Sequence, residues 1–317
     1  YLSDTERTEL SAVAFAVPLL VEVIDPDRAK DSASKINVAL QTSGGSTIVV
    51  ECVVSNAHSD LPQSVTGNQA LLAGRFVGQV IMQLGSKDSP TIIPLTGEMP
   101  RGLIGRVHDG TEDAEPLPGL VAMVLNLTGQ DTITAQYRDE VNLSGKRALR
   151  NHAGKLVATG ELQVTDREYE EPLEQLHVGE KLFLKVSDPD QDISNDRDRI
   201  QVTISTELGE KETVELFETT VHSGEFTAAF ALRAEATPTA GNLDAKDPFL
   251  ESYFGDVVTA TYTDTRSADS TEPLDLQQEV PVVVGTNGLV TAFTKAFNDE
   301  GLAVETKFRI AESYFEL

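Results

Sequence analysis

The residues best suited to chemistry lie in Asp188–Arg199, DPDQDISNDRDR. Asp188, Asp190, Asp192, Asn195, Asp196 and Asp198 fall within this one short segment. Ca²⁺ takes about six to eight hard oxygen ligands, and closely spaced Asp and Asn side chains on a loop supply them. These six residues are therefore the candidate metal ligands, and Ca²⁺ is the cofactor they imply. A solvated Asp-Pro turn is the competing reading, because Pro189 suits a turn and Arg197 and Arg199 balance part of the charge. The first half of the chain holds a thinner version, Asp25, Asp27 and Asp31, with Lys30 and Lys35 close by.

Asp188, Asp190 and Asp192 share the opening spacing of an EF-hand loop, but Ile193 stands where that loop needs Gly and Arg199 where it needs Glu. Any metal geometry must therefore be a different one. Other chemistries lack their residues. The histidines (His58, His108, His152, His177, His222) are scattered, with no His-Glu-x-x-His pair, and one cysteine makes no thiolate cluster. No nucleophile elbow, phosphate-cradling loop or dinucleotide fingerprint occurs. His222-Ser223 reads as part of a tight turn, and Cys52, in TIVVECVV, as a buried inert thiol. The expectation is a protein that is not an enzyme.

The elements carrying these residues occur twice. LLVEVIDPD (19–27) matches LFLKVSDPD (182–190), and KINVALQT (35–42) matches RIQVTIST (199–206). GRFVGQVIM (74–82) matches GEFTAAFAL (224–232), and DTITAQYRD (131–139) matches DVVTATYTD (256–264). The order is kept while the offset drifts, as in two copies of one domain with loops of different length. Ile200, Val202 and Ile204 alternate with polar residues, as do Phe226, Ala228, Phe230 and Leu232, and Val258, Ala260 and Tyr262. That period of two marks half-buried antiparallel strands. Asp25, Phe76 and Tyr137 should superpose on Asp188, Phe226 and Tyr262.

The expected fold class is mainly β: two tandem immunoglobulin-like β-sandwich domains followed by a short C-terminal α-helical segment. Residues 1–10 are read as the end of a preceding repeat or a linker, 11–142 as the first sandwich and 143–152 as a basic linker. The second sandwich takes 153–285. Val304, Phe308, Ala311 and Phe315 then follow helical spacing within 286–317. At 317 residues and 40% hydrophobic content, the chain can bury real cores. Its net charge of −26 disfavours nucleic acid and anionic membrane as partners and favours cations. No apolar run is long enough to insert in a bilayer.

Gly179-Glu180, Asp188–Asp198 and Gly224–Phe226 give an order of Gly-Glu, strand, Asp-rich loop, two strands and Gly-x-Phe turn. This order resembles the tandem immunoglobulin-like repeats of large bacterial cell-surface proteins of S-layer, sheath or adhesin type. FRIAESYFEL (308–317) is similar to the first helix of a tetratricopeptide repeat, although Lys307 stands where that family prefers Trp. The resemblance implies an extracellular, cell-surface location and a structural role in an S-layer, sheath or filament. It also implies bound Ca²⁺ and a homo-oligomeric or polymeric assembly. Alternatives are an adhesion or carbohydrate-binding module, weakened by the absence of Trp, or accessory domains of a larger secreted enzyme.

Overall fold

The computed structural model describes residues 2–3, 12–15, 19–31, 33–54, 74–90, 122–142, 144–177, 179–207, 209–234 and 249–283. The first half supplies β1 (Leu2–Ser3), β2 (Ala12–Ala14), β3 (Leu19–Ile24), β4 (Lys35–Thr42) and β5 (Thr47–Val54). It continues with β6 (Arg75–Leu84), β7 (Ala122–Leu127), β8 (Thr132–Asp139) and β9 (Ala148–Val157). The second half supplies β10 (Glu161–Thr165), β11 (Leu176–His177), β12 (Lys181–Ser187), β13 (Arg199–Thr206) and β14 (Lys211–Glu218). It ends with β15 (Glu225–Ala234), β16 (Phe249–Ser252), β17 (Val257–Asp264) and β18 (Leu274–Val283).

Each half forms one nine-stranded sheet, and the two orders correspond strand for strand. The first runs β1-β3-β6-β5-β4-β8-β9-β2 with β7 on β6, and the second β10-β12-β15-β14-β13-β17-β18-β11 with β16 on β15. Register agrees as well: Phe76 pairs with Val23 and Phe226 with Val186. Both phenylalanines are fully buried. The turns repeat too. Gly74 and Gly224 sit at φ 60° and 64°, and a Cβ on either would press on the backbone of Pro26 or Pro189, the proline of each Asp-Pro pair. Glycine is required there by both backbone and space.

The expected architecture is corrected on two counts. A sandwich needs two separate sheets, but hydrogen bonding here runs unbroken around each unit. In the second unit β14 pairs with β13 from Arg199↔Phe217 to Ser205↔Lys211 and then with β15 through Phe217↔Thr227 and Glu218↔Phe226. That short bridge joins what would be two sheets into one curled sheet. At its far margin the Val164 N–H donates to Gln278 Oε1 at 2.8 Å, bringing β10 against β18, so the second unit is nearly a closed barrel. The first unit, whose β1 has only two residues, is closer to a half-barrel. Second, the described residues contain no α-helix; their one helical element is the 3-10 turn Pro189–Gln191. The fold described is therefore β with one 3-10 turn. The helical stripe over 286–317 lies outside the described residues.

Alternation produces the core in the expected way except at Phe230, which the pattern places inside with Phe226 and which is only half-buried. Ile200, Val202, Ile204, Val258, Ala260, Tyr262, Phe226 and Leu232 are buried in the second cluster, with Ala228 and Phe230 half-buried against it. Cys52 is fully buried in the first cluster, and burial pushes its thiol up to about 12. The first sheet extends through Val157 and the second starts at Glu161, leaving Ala158, Thr159 and Gly160 as the connector.

Candidate functional site

The acidic segment leaves β12, makes the 3-10 turn and folds back to β13 at the junction of the two units. Asp188 is the cap of that turn. Because the turn rotates the chain, the alternate aspartates point in different directions. Asp188, Asp190 and Asp192 are fully buried, while Asn195 and Asp196 are exposed.

Asp188 faces the second core. The Tyr262 hydroxyl donates to its Oδ2 at 2.6 Å. Burial first, then the neighbouring Asp190 and Asp264 charges, push Asp188 up to about 7, against the Tyr262 hydrogen bond that lowers it. Asp190 faces the connector: its Oδ2 accepts the Ala158 N–H at 3.3 Å and its Oδ1 the Gln191 amide at 2.8 Å. Burial raises it, while those two hydrogen bonds lower it. Asp264 Oδ2 accepts the Gly160 N–H at 2.9 Å. The carboxylates of one group thus hold the connector by its backbone.

Asp192 belongs to a second group. Its carboxylate lies 3.0 Å from His222 Nδ1. Burial pushes it up to about 6, with His222 opposing. Ligand oxygens of Asp192, Asp198 and Glu218 lie within 4.8 Å of one another. Asp198 Oδ2 accepts the Ile193 and Ser194 N–H groups at 2.8 and 2.9 Å. Glu218 Oε1 accepts those of Ser223 and Gly224, also at 2.8 and 2.9 Å. Of the six predicted ligands, then, Asp192 and Asp198 come together, Asp188 and Asp190 join Asp264, and Asn195 and Asp196 stand apart in solvent.

Glu218 was not among the predicted residues, whereas Asp264 was expected as a residue that could join the loop, and each carried a signal. Each ends a strand on its buried parity, after Val214 and Leu216 or after Ala260 and Tyr262. A carboxylate in an apolar register position demands polar partners.

A pH dependence follows. The native state holds a proton on Asp188 up to about pH 7, whereas the unfolded chain releases it near 3.8. Between those values the native state binds more protons, so this contribution to stability falls as pH rises through the window. Asp188→Asn keeps an oxygen for Tyr262 and has no proton to lose. Urea midpoints measured from about pH 4 to about pH 7 should fall less in the variant. Parallel slopes in both proteins would refute this assignment; Asp192 leaves a residual slope in either case.

No protein-family model matches the chain, and no curated protein matches it. Among solved structures it is similar to a tetra-tandem repeat in the extending region of a large adhesion protein. That match has 12% identity and a TM-score of 0.28, and covers 83% of this chain and 48% of the other. A DUF4785 family protein from Legionella pneumophila matches at 9% identity and TM-score 0.23, with 87% and 55% covered. Salmonella alpha-2-macroglobulin reacted with methylamine matches at 11% identity and TM-score 0.20, with 90% and 23% covered. The chain thus spans about half of the first two structures, and at such TM-scores none of these likenesses carries an argument. Among the described residues no helix is long and apolar enough to cross a membrane.

Proposed function

We propose that this chain is a non-enzymatic structural repeat segment of an extracellular, cell-surface assembly. The observation that carries the reading is the junction. Two units of one strand order are joined by only Ala158, Thr159 and Gly160, and the second unit holds that connector through Asp190 and Asp264. A held connector fixes the spacing of successive units, which is what a lattice or fibre requires of its repeats. In this reading Ca²⁺ binds Asp192, Asp198 and Glu218, whose oxygens converge from the acidic loop and the end of β14. Water and backbone carbonyls complete the shell.

Antibody labelling of intact, unpermeabilised source cells tests the location, and a chelator wash tests the metal. Labelling is expected without permeabilisation, and EDTA should lower the melting temperature of the purified chain, with Ca²⁺ restoring it. Labelling that appears only after permeabilisation sinks the surface role. A melting temperature indifferent to EDTA and Ca²⁺ sinks the metal alone.

A further inference from the structure

The end of the second unit opposite the acidic loop closes on a buried polar layer that the first unit builds from apolar residues. The inward positions of β13 run Ile200, Val202 and Ile204 and end on Thr206. β14 starts inward at Glu212 before Val214 and Leu216, and β16 ends inward on Ser252 after Leu250. Asp256 precedes Val258 and Ala260 on the inward side of β17. All four polar residues are at least nine-tenths buried, Ser252 and Asp256 completely. They are also neighbours. Asp256 Oδ1 accepts the N–H of Glu207, beside Thr206, at 3.2 Å. Glu212 pairs with Ile204, and β16 lies against β13.

The first unit shows how this end is closed without such a layer. Leu127 pairs with Leu84 as Ser252 does with Ala234, and Ile48 with Leu40 as Glu212 does with Ile204. Two apolar positions of the first core are thus a serine and a glutamate in the second. Asp131 and Asp256 are equivalent, since their carbonyls accept the N–H groups of Leu156 and Val282. Both oxygens of Asp131 are occupied. Oδ1 accepts from the Ser43 hydroxyl and Gly44 N–H, and Oδ2 from the Thr128 N–H and hydroxyl. In the second unit Glu207 and Tyr253 replace Ser43 and Thr128, and those hydroxyl donors are gone. The Glu207 and Val257 N–H groups both donate to Asp256 Oδ1. Asp256 Oδ2, Thr206 Oγ1 and Ser252 Oγ have no hydrogen-bond partner among the described residues. Thr42, the counterpart of Thr206, accepts the Ser46 N–H.

Buried polar atoms left bare are costly, and hydroxyls within reach of the carboxylate would donate to it directly. The space between these three oxygens therefore suits a bridging atom. Water would satisfy the hydroxyls but leave the charge. Burial raises the Asp256 carboxyl, against the N–H bonds from Glu207 and Val257, and Glu212 adds a second carboxylate to the layer. Every donor is a hard oxygen, which is the ligand type of Ca²⁺. We infer that this end of the second unit binds a Ca²⁺ ion through Asp256 Oδ2, Thr206 Oγ1 and Ser252 Oγ. Glu212, backbone carbonyls and water complete the shell. The ion ties the β13–β14 turn to the start of β17, as the hydrogen bonds of Asp131 do in the first unit. Glu212 and Glu218 stand at opposite ends of β14, about 20 Å apart at about 3.3 Å per residue. This site is therefore separate from the acidic loop and does not rest on a metal there.

Ca²⁺ titration of the full chain tests this, read by calorimetry and by the amide resonances of Glu207 and Val257. Salt at about 0.15 M screens diffuse binding to the acidic surface. The titration runs to about 5 mM, since extracellular Ca²⁺ sites bind at about 10⁻⁴–10⁻³ M. The wild type is expected to take up one more Ca²⁺ than Asp256→Asn, which keeps an oxygen for both N–H groups and loses the charge. The two amides should shift in the wild type and stay fixed in Asp256→Asn. Ser252→Leu, carrying the residue type of Leu127, should abolish the shift as well. Ca²⁺ in the acidic loop adds equally to all three proteins, so the two sites are read separately. Equal uptake by the wild type and both variants overturns the proposal and leaves a buried water in the layer. So do wild-type Glu207 and Val257 amides that never move, a result that stands even where a variant fails to fold.

Discussion

Phe226→Ala is expected to destabilise the second unit by about 3–5 kcal/mol, the usual cost of deleting a fully buried phenyl ring and leaving a cavity. Phe226 is fully enclosed, pairs with Val186 and faces the core beside the bridge that turns β14 onto β15. Little room exists for relaxation there, because the Ser223–Gly224 turn before it is pinned to Glu218. Phe76→Ala should cost about the same in the first unit, since its register is the same. Phe230→Ala should cost clearly less, because that ring is only half-buried. Chemical denaturation of the three variants checks the order. An equal loss at Phe226 and Phe230 would contradict the burial on which the argument depends.

That ranking shows what periodicity conveys. Alternation of Val202, Ile204, Val258 and Ala260 with polar neighbours made the strands and the inward face legible. The duplication was equally legible, because Asp25 and Tyr137 keep both the order and the hydrogen bond of Asp188 and Tyr262, although the loops between them differ in length. The closure of each unit into one curled sheet was not. It depends on Glu218↔Phe226 and Phe217↔Thr227, two pairs at the end of a strand, and pairing across a corner leaves no mark on alternation. β9 was obscured for a different reason. Its first residues, Leu149 to Asn151, are exposed, so a paired strand reads as a basic linker until Leu156 turns inward.

The site was legible as composition and illegible as direction. Spacing identified a dense run of carboxylates, but their orientation is set by the 3-10 turn at Pro189–Gln191, which sends Asp188 to Tyr262, Asp190 to Ala158 and Asp192 to His222. Neither a solvated turn nor one six-ligand shell describes that arrangement. The loop is buried because it fastens two units together, and a junction between copies can only be read when both sides are in view.

The junction predicts its own weak point, Gly129. This residue lies in the Thr128–Asp131 turn of the first unit, and its N–H donates to Asp192 O across the junction at 2.5 Å. A Cβ there would overlap the backbone of Asp190. Backbone cannot yield as a side-chain tip would, so Gly129→Ala must separate the units locally. Both cores lie away from the clash, and each should keep its own unfolding transition. What changes is the clamp: the amides of Ala158 and Gly160 lose their carboxylate partners and exchange freely with solvent. Hydrogen exchange at those two amides should accelerate, and small-angle scattering should report a longer, more flexible particle. Gly209→Ala is the control. Its backbone is strained at φ +91° but a Cβ there meets nothing, so the second unit should weaken while the connector stays protected. If Gly129→Ala exchanged and scattered like the wild type, the two units would not be held by this contact, and the acidic loop would lose its role as a clamp.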